Sequence, residues 1–442
     1  DIDLYKLLNK QINLWGKNFK NILSSKERII EIFEIEEKKY NELYKKAELE
    51  INNLISEIKK GKREYIDINT LIELYDSKGI HPDIVLKEAN KHNIKVEYTK
   101  DFFSKVVEKH ERKLVTKEKE GIEVKIDLPP TFPLYYEDPY LKRFNAKIIY
   151  VIEPDWIILD KTAFYPEGGG QIYDTGFIFI GDKKIRVKEV YKKGNIILHK
   201  VDYADKSLIG KEIIGEIDFE RRLNIMRHHT ATHILLQSIR KVLGNHIWQA
   251  GARKEEDKAR LDVTHYKKVT EEDISKIEKL ANEIVLSNLQ VKAKFMNRKE
   301  AEEKFGFYLY QGGVMDGEII RVVSVGDFDH EACGGTHVNR TGEIGLIKII
   351  KTERIQDGVE RFIFTAGKLT LEEFNKNQSL INSISELLNV QRDKILQNVL
   401  KLIEELKSER KENERLRKMF AESISEILYK EKQKIKNINL YI

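Results

Sequence analysis

Disulfide bonding within the chain is excluded, because its 442 residues include one cysteine, Cys333. A lone thiol fits a reducing compartment and needs some other reason to be there. Proline is scarce too: there are seven, and four of them (Pro129, Pro130, Pro133 and Pro139) crowd into DLPPTFPLYYEDPY. That stretch reads as an ordered, extended linker. Apolar runs are short and broken by charge, and no charged-then-apolar leader opens the chain. Neither a membrane span nor a secretory signal is readable, so a cytoplasmic protein with no membrane partner is expected. Charge of one sign is not in excess: 78 basic against 73 acidic residues leave +5, only a slight lean toward a polyanionic partner. Methionine is rare while Lys, Glu and Ile are abundant. Heat-adapted proteins share that bias, although a low G+C genome would also enrich Lys and Ile. The first residue is Asp1 rather than Met, which suggests processing or truncation.

With 41% hydrophobic residues, the chain is long enough for two to four domains, each with its own core. The spacing of Tyr40, Tyr44, Ala47, Ile51, Leu54 and Ile58 predicts one buried helical stripe ahead of Gly61. A second helix is expected between a cap at Asn69 and Gly79, and a third with Pro82 in its first turn. From Ala146 the pattern turns to short β-rich runs, AKIIYVIE, DWIILD, GFIFIG, KIRVKEVY and NIILHKV, at the spacing of a small barrel. Residues 218–368 mix a helix through NIMRHHTATHILLQSIRKVLG with strands such as EIIRVVSV and GLIKIIKTERI. The tail is helical: Ile395, Val399, Leu402 and Leu406 keep a heptad, Glu409 and Asn413 break it, and Leu416, Phe420 and Ile424 resume an apolar face. The expected class is multidomain α+β.

Two short motifs carry the chemistry. In HHTATHILLQ, His229 and His233 lie four apart on a helix, so their imidazoles share a face. In CGGTH, Cys333 and His337 flank a Gly-Gly turn that lets the backbone fold tightly. Three imidazoles and a thiolate make a tetrahedral ligand set suited to zinc, one ion per chain, and this explains the lone cysteine. A histidine pair at this spacing is by itself more often structural; the added Cys-x3-His makes the difference. A zinc-protease HExxH reading fails, since Thr230 follows His229. His228 points about a hundred degrees off and is expected at the surface or behind the ligands, and His330 is expected not to ligate. A third feature, TAFYPEGGGQIYDTG, matches no nucleotide-phosphate loop. It reads either as a turn or as backbone at Gly169 and Gly170 approaching a ligand, with Gln171 and Asp174 as polar handles.

The ordered series TLIELYDSKGIHPDIV, DLPPTFPLYYEDPY, TAFYPEGGGQIYDTG, HHTATHILLQ, CGGTHV and ERIQDGVERF resembles the alanyl-tRNA synthetase family in its archaeal type, over about residues 65–368. The resemblance implies a helical tRNA-recognition domain at 1–128, a linker and β-barrel module at 129–217, an α+β zinc-containing editing domain at 218–368 and a helical packing or oligomerisation arm at 369–442. It implies alanine tRNA as partner and hydrolysis of mischarged seryl- and glycyl-tRNA at the zinc site. His229, His233, Cys333 and His337 would be the ligands, Asp76 a reader of the acceptor stem, and Gln249 part of the editing pocket. Four protein ligands close a tetrahedral shell, so direct activation of water would need one to leave, and Cys333 is the candidate. Thr230, Thr232 and Thr336 offer hydroxyls to substrate, or merely cap and pack. Gly169, Gly170 and Gln171 are counted with the substrate-binding residues.

One departure from the family shapes the functional expectation. No ATP-binding arginine motif and no GxGxER segment is found. The expectation is therefore a fragment or split subunit without the class II aminoacylation core. ATP and Mg2+ would enter only through a separate domain or partner subunit, docked on the Tyr40–Ile58 stripe, and the chain alone would not charge tRNA. Homo-oligomerisation through the C-terminal helices is possible on this reading. The rival readings are a free-standing alanyl-tRNA editing hydrolase and a non-catalytic, zinc-stabilised tRNA-binding subunit.

Overall fold

A computed structural model describes residues 3–61, 65–99, 102, 103, 105, 128–313, 317–430, 433–435 and 438–440. The chain divides into two compact units, Asp1–Asp127 and Leu128–Ile442. The expected helical domain beyond residue 105 lies outside the described residues.

The first unit is helical: α1 (Leu4–Trp15), α2 (Lys26–Lys59), α3 (Ile68–Lys78) and α4 (Pro82–Lys91). Its core draws Ala47, Ile51 and Ile55 from α2, Leu71 and Leu74 from α3, and Val85 and Ala89 from α4. The expected stripe on α2 is shifted at its start, because Tyr40 is 56% exposed and Ile55, not counted in it, is buried. The cap of α3 is Asp67 rather than Asn69: its carboxylate accepts the N–H of Asn69 and of Thr70, both at 2.9 Å. Gly79 ends α3 at φ +68°, a conformation that side-chain-bearing residues resist. Pro82 opens α4, where its missing N–H costs nothing.

In the second unit, β1 (Arg143–Ile152), β2 (Trp156–Leu159), β3 (Gly176–Ile180), β4 (Lys183–Lys193), β5 (Ile196–Val201) and β6 (Glu212–Ile217) close a barrel in the order β1-β2-β5-β4-β3-β6. Alternate residues of β1, namely Phe144, Ala146 and Ile148, fill its interior. The sixth strand was not among the expected runs, since Gly215 interrupts its apolar alternation. The interruption is needed: a Cβ at Gly215 would stand 2.4 Å from the Phe144 ring. The proline-rich stretch, expected as an ordered, extended linker, packs against the barrel past its start. Tyr135 is buried in the barrel core, and Phe132–Pro133 pairs with Lys161–Thr162.

The remainder of this unit is built on α5 (Phe219–Leu243) and α6 (Glu271–Leu286), with strands β7 (Gln249–Lys254), β8 (Ala259–Thr264), β9 (Val291–Asn297), β10 (Ile319–Val325), β11 (Asp329–Ala332), β12 (Ile347–Gln356) and β13 (Val359–Ala366). They form a four-stranded sheet, β12-β13-β8-β7, and a three-stranded sheet, β9-β10-β11. Ile234, Leu235 and Ile239 of α5, Ile277 and Ala281 of α6, and Phe362 and Phe364 of β13 share one core. Asp174 is not a ligand handle. It is fully buried and paired with the buried Arg222 of α5, which also donates to the carbonyls of Pro139 and Ala163. That network fastens the barrel side of the unit to α5. Two further helices, α7 (Lys368–Leu388) and α8 (Ile395–Lys430), end the helical region, with Leu402, Leu406, Leu416 and Phe420 exposed along α8. No helix among the described residues is long and apolar enough to cross a membrane.

Candidate metal centre

Helix α5 is buried nearly all round, and its inward polar residues form part of the candidate site. His229 and His233, one turn apart, project toward the loop after β11 that carries Cys333 and His337. One ligand atom from each of the four lies within 4.8 Å of the others. The Cys333 sulfur is 3.3 Å from His229 Nε2 and 3.4 Å from His337 Nε2. Tetrahedral zinc, with bonds of about 2.3 Å to sulfur and about 2.0–2.1 Å to nitrogen, would set such pairs at about 3.6 Å. The loop reaches this position because Gly335 has no side chain: a Cβ there would stand 2.0 Å from His229 Cε1.

Outer hydrogen bonds decide which ring nitrogens face the centre. Gln171 Oε1 accepts the N–H of Thr336 at 3.0 Å, and its amide donates to Thr336 Oγ1 at 2.9 Å. The same oxygen lies 2.8 Å from His229 Nδ1, which must therefore carry the proton and leave the Nε2 lone pair toward Cys333. The Thr230 hydroxyl donates to the Met226 carbonyl at 3.0 Å and accepts from the Val338 N–H at 3.2 Å. It is thereby an acceptor for His337 Nδ1, 3.1 Å away, and Nε2 of that ring is free as well. For His233, Asp329 lies 3.5 Å from Nδ1 and Glu331 lies 3.5 Å from Nε2.

Electrostatics favour the neutral ring at His229 and His337, whereas at His233 burial is outweighed by the Glu331 and Asp329 carboxylates, which raise it well above its ordinary value. Burial holds His229 well below its ordinary value and brings His337 down to about 4. Burial would raise the Cys333 thiol, but the His229 and His337 rings beside it bring it well below the usual range. Two neutral imidazoles and a thiolate are what a metal ion requires. Burial pushes Glu331 up to about 8, against the pull of His233. The arrangement fits a soft-to-borderline cation such as zinc.

The other expected residues are placed as follows. Gln171 reaches the centre through His229, and Thr230 through His337. Gly169 and Gly170, at φ +59° and +74°, bring the chain against β7: the Gly169 carbonyl accepts from the buried Lys254 ammonium at 3.0 Å, and a Cβ at Gly170 would meet the Ala252 carbonyl at 2.2 Å. Gln249 opens β7, and its contacts run to the neighbouring loop, through Gln311 and Gly312. Asp76 sits half-buried on α3 in the first unit. His228 is not at the surface; it is fully buried, bonds the Glu255 carbonyl and meets Phe364 edge-on. His330 bonds Ser324 at 2.8 Å, on the opposite face of β11 from Asp329 and Glu331. Sequence reasoning missed Asp329, Glu331, Arg321 and Lys254. The alternation of Asp329 and Glu331 on the strand just before Cys333 was the available signal.

Comparison with known proteins adds a family context. The profile of tRNA synthetases class II (A) matches residues 2–221, and that of the threonyl and alanyl tRNA synthetase second additional domain matches residues 320–363, which include Cys333 and His337. Alanine–tRNA ligase of Pyrococcus furiosus is 43% identical over 423 residues, covering 95% of this chain and 46% of that protein. The alanine–tRNA ligase of Archaeoglobus fulgidus is 43% identical over 427 residues, covering 97% and 46%. That of Sulfurisphaera tokodaii is 40% identical over 453 residues, covering 100% and 49%. The chain thus spans about half the length of these curated relatives.

These matches overturn one expectation. Class II synthetase sequence is present over residues 2–221, so the inference of a chain without the class II core is withdrawn, and the separate subunit supplying that core goes with it. The inference rested on the absence of two short signatures, whereas the match extends through the helices of the first unit and the barrel strands. Over nearly its whole length, the chain is similar to about half of each of these alanine–tRNA ligases.

Proposed function

We propose that this chain acts on alanine tRNA, and that His229, His233, Cys333 and His337 hold one zinc ion in an editing site. The reaction is hydrolysis of the ester joining misattached serine or glycine to the terminal adenosine: water is consumed, and the free amino acid and the ribose hydroxyl are released. The need for it is physical. A pocket built for alanine cannot reject glycine strongly, because one methylene is worth only about 1–3 kcal/mol. The observation that carries the reading is the clustered ligand set, with the ring protons of His229 and His337 turned outward and with Cys333 and His337 in a stretch similar to the second additional domain of threonyl and alanyl tRNA synthetases.

Bound zinc would polarise the ester carbonyl or a water molecule. The chain's own residues divide the remaining work. Gln171 and Thr230 position His229 and His337, and Thr230, fully buried with its hydroxyl engaged, acts on that ring and not on substrate. Glu331, buried with Oε1 unpartnered among the described residues, lies 3.5 Å from His233 Nε2 and positions that ring. Gln249, Gly169 and Gly170 are assigned to substrate binding. Residues 1–128 form the tRNA-recognition part, with Asp76 toward the acceptor stem, and the barrel at 129–217 supports the editing domain at 218–368. The arm at 369–442, with its exposed apolar side chains, joins copies of the chain. ATP- and Mg2+-dependent attachment of alanine is supported as the wider activity by the class II (A) similarity.

One observation favours a second reading: four protein ligands close a tetrahedral shell, as structural zinc sites do. A zinc-stabilised, non-catalytic tRNA-binding role would then follow. Release of serine from seryl-tRNA by the purified chain, measured alongside its zinc content, separates the two. Zinc-dependent release supports editing, and stoichiometric zinc with no release supports the structural role.

A further inference from the structure

Strand β9 is the edge of the three-stranded sheet, paired within it to β10, and Lys292, Ala293, Lys294 and Phe295 on it are all exposed. The register sets Lys292 opposite Ser324, Lys294 opposite Val322 and Phe295 opposite Arg321. Alternation therefore turns the two lysines to one face of the sheet and Phe295 to the other. Charged residues on an edge strand can simply discourage strand pairing. What surrounds this strand asks for more.

The lysine face is a groove of about 810 Å³ lined by Lys292, Lys294, Lys304, Phe305, Ser324 and His330. The His330 ring stacks on Phe305 with centroids 4.2 Å apart. None of the three ammonium groups has an ion-pair partner among the described residues, and Asp327 is the carboxylate at the groove. Three cations beside stacked rings match a phosphodiester backbone. The other face leads to the metal centre. Arg321 donates to the carbonyls of Cys333 and Gly335 at 2.7 and 2.9 Å, its guanidinium lies 5.0 Å over the Tyr136 ring, and Tyr136 meets Phe295 at 5.8 Å. Phe295 is thus an aromatic ring, 60% exposed, joined by contact to the loop that carries the ligands.

Resting on the editing reading, the geometry points to β9 as the rail that seats the single-stranded 3′ end of the tRNA. Backbone phosphates lie against Lys292, Lys294 and Lys304, the chain crosses the sheet edge, and the terminal base stacks on Phe295 beside Tyr136. Stacking fits an aromatic that must accept a base without hydrogen-bond readout.

The test uses the full chain and fluorescence anisotropy with two probes: uncharged alanine tRNA, and the same RNA lacking its terminal adenosine. The wild-type protein should prefer the intact RNA by about ten-fold, the order expected for one stacked base. Phe295→Ala should bind both RNAs alike, and Phe295→Tyr should retain the preference. The Lys292→Ala/Lys294→Ala double variant should weaken both, with a salt dependence shallower by about 1.4 in the log–log slope, at about 0.7 per phosphate. Undiminished preference in Phe295→Ala, or an unchanged slope in the lysine variant, would overturn the rail; so would lysine-dependent binding of a peptide strand in place of RNA. Binding preference in a chain that hydrolyses no ester would reject the editing reading and leave the rail standing.

Discussion

Gln171 Oε1 accepts the Nδ1–H of His229 at 2.8 Å, across a sequence separation of 58 residues. A residue that fixes the tautomer of a ligand acts on metal affinity without touching the metal. Gln171→Ala is therefore expected to weaken zinc binding by about 10–100-fold. Competition with a chromophoric chelator measures this, and affinity equal to the wild type would remove Gln171 from the site.

Gly335 stands where any side chain would strike the His229 ring, with a Cβ 2.0 Å from Cε1. Gly335→Ala should push the Cys333–His337 loop away from α5, lowering both zinc content and thermal stability, with about 1–3 kcal/mol as the typical cost of overpacking. Full zinc occupancy with an unchanged melting temperature would show that the loop has room that its backbone does not reveal.

Asp174 and Arg222 are both fully buried, and Arg222 has further acceptors in Pro139 and Ala163. Asp174→Asn leaves a buried guanidinium without its counter-charge. The expected loss is about 3–5 kcal/mol in urea unfolding of the second unit. A loss below about 1 kcal/mol would mean that the carbonyl acceptors alone suffice to hold Arg222.

His199 lies inside the barrel against Thr162, and burial lowers it from 6.5 to about 3. The unfolded chain gains a proton near pH 6.5 while the native one stays neutral until about 3. Stability contributed by the neutral ring is therefore whole above pH 6.5 and falls as the pH drops toward 3, by up to about 1.4 kcal/mol per pH unit. His199→Gln should flatten that part of the stability profile. An equally steep acid loss in the variant would place the cause in other groups.

Much of the candidate site was legible because its spacing is local. His229 and His233 share a helix face by periodicity alone, and Cys333 and His337 are joined by a turn. What escaped was set by tertiary contact. Gln171 and Asp174 are three residues apart in one glycine-rich stretch and read alike, yet one holds the His229 ring and the other an arginine of α5. Gly215 concealed a strand because its meaning lies in the Phe144 ring across the barrel. Asp67 took the cap expected at Asn69 because a cap is decided by which oxygen reaches the free N–H groups. The class II similarity escaped a search for short signatures because it extends over residues 2–221.

The central claim, that the His229–His233–Cys333–His337 centre is a zinc-dependent proofreading site, is tested most directly by rates of deacylation. Seryl-, glycyl- and alanyl-tRNA of the alanine type are given to the zinc-loaded chain and to His233→Ala. The account predicts rapid hydrolysis of the first two esters, slow hydrolysis of the third, and loss of all three rates in the variant. Equal rates on the three esters, or full activity in His233→Ala, would contradict it.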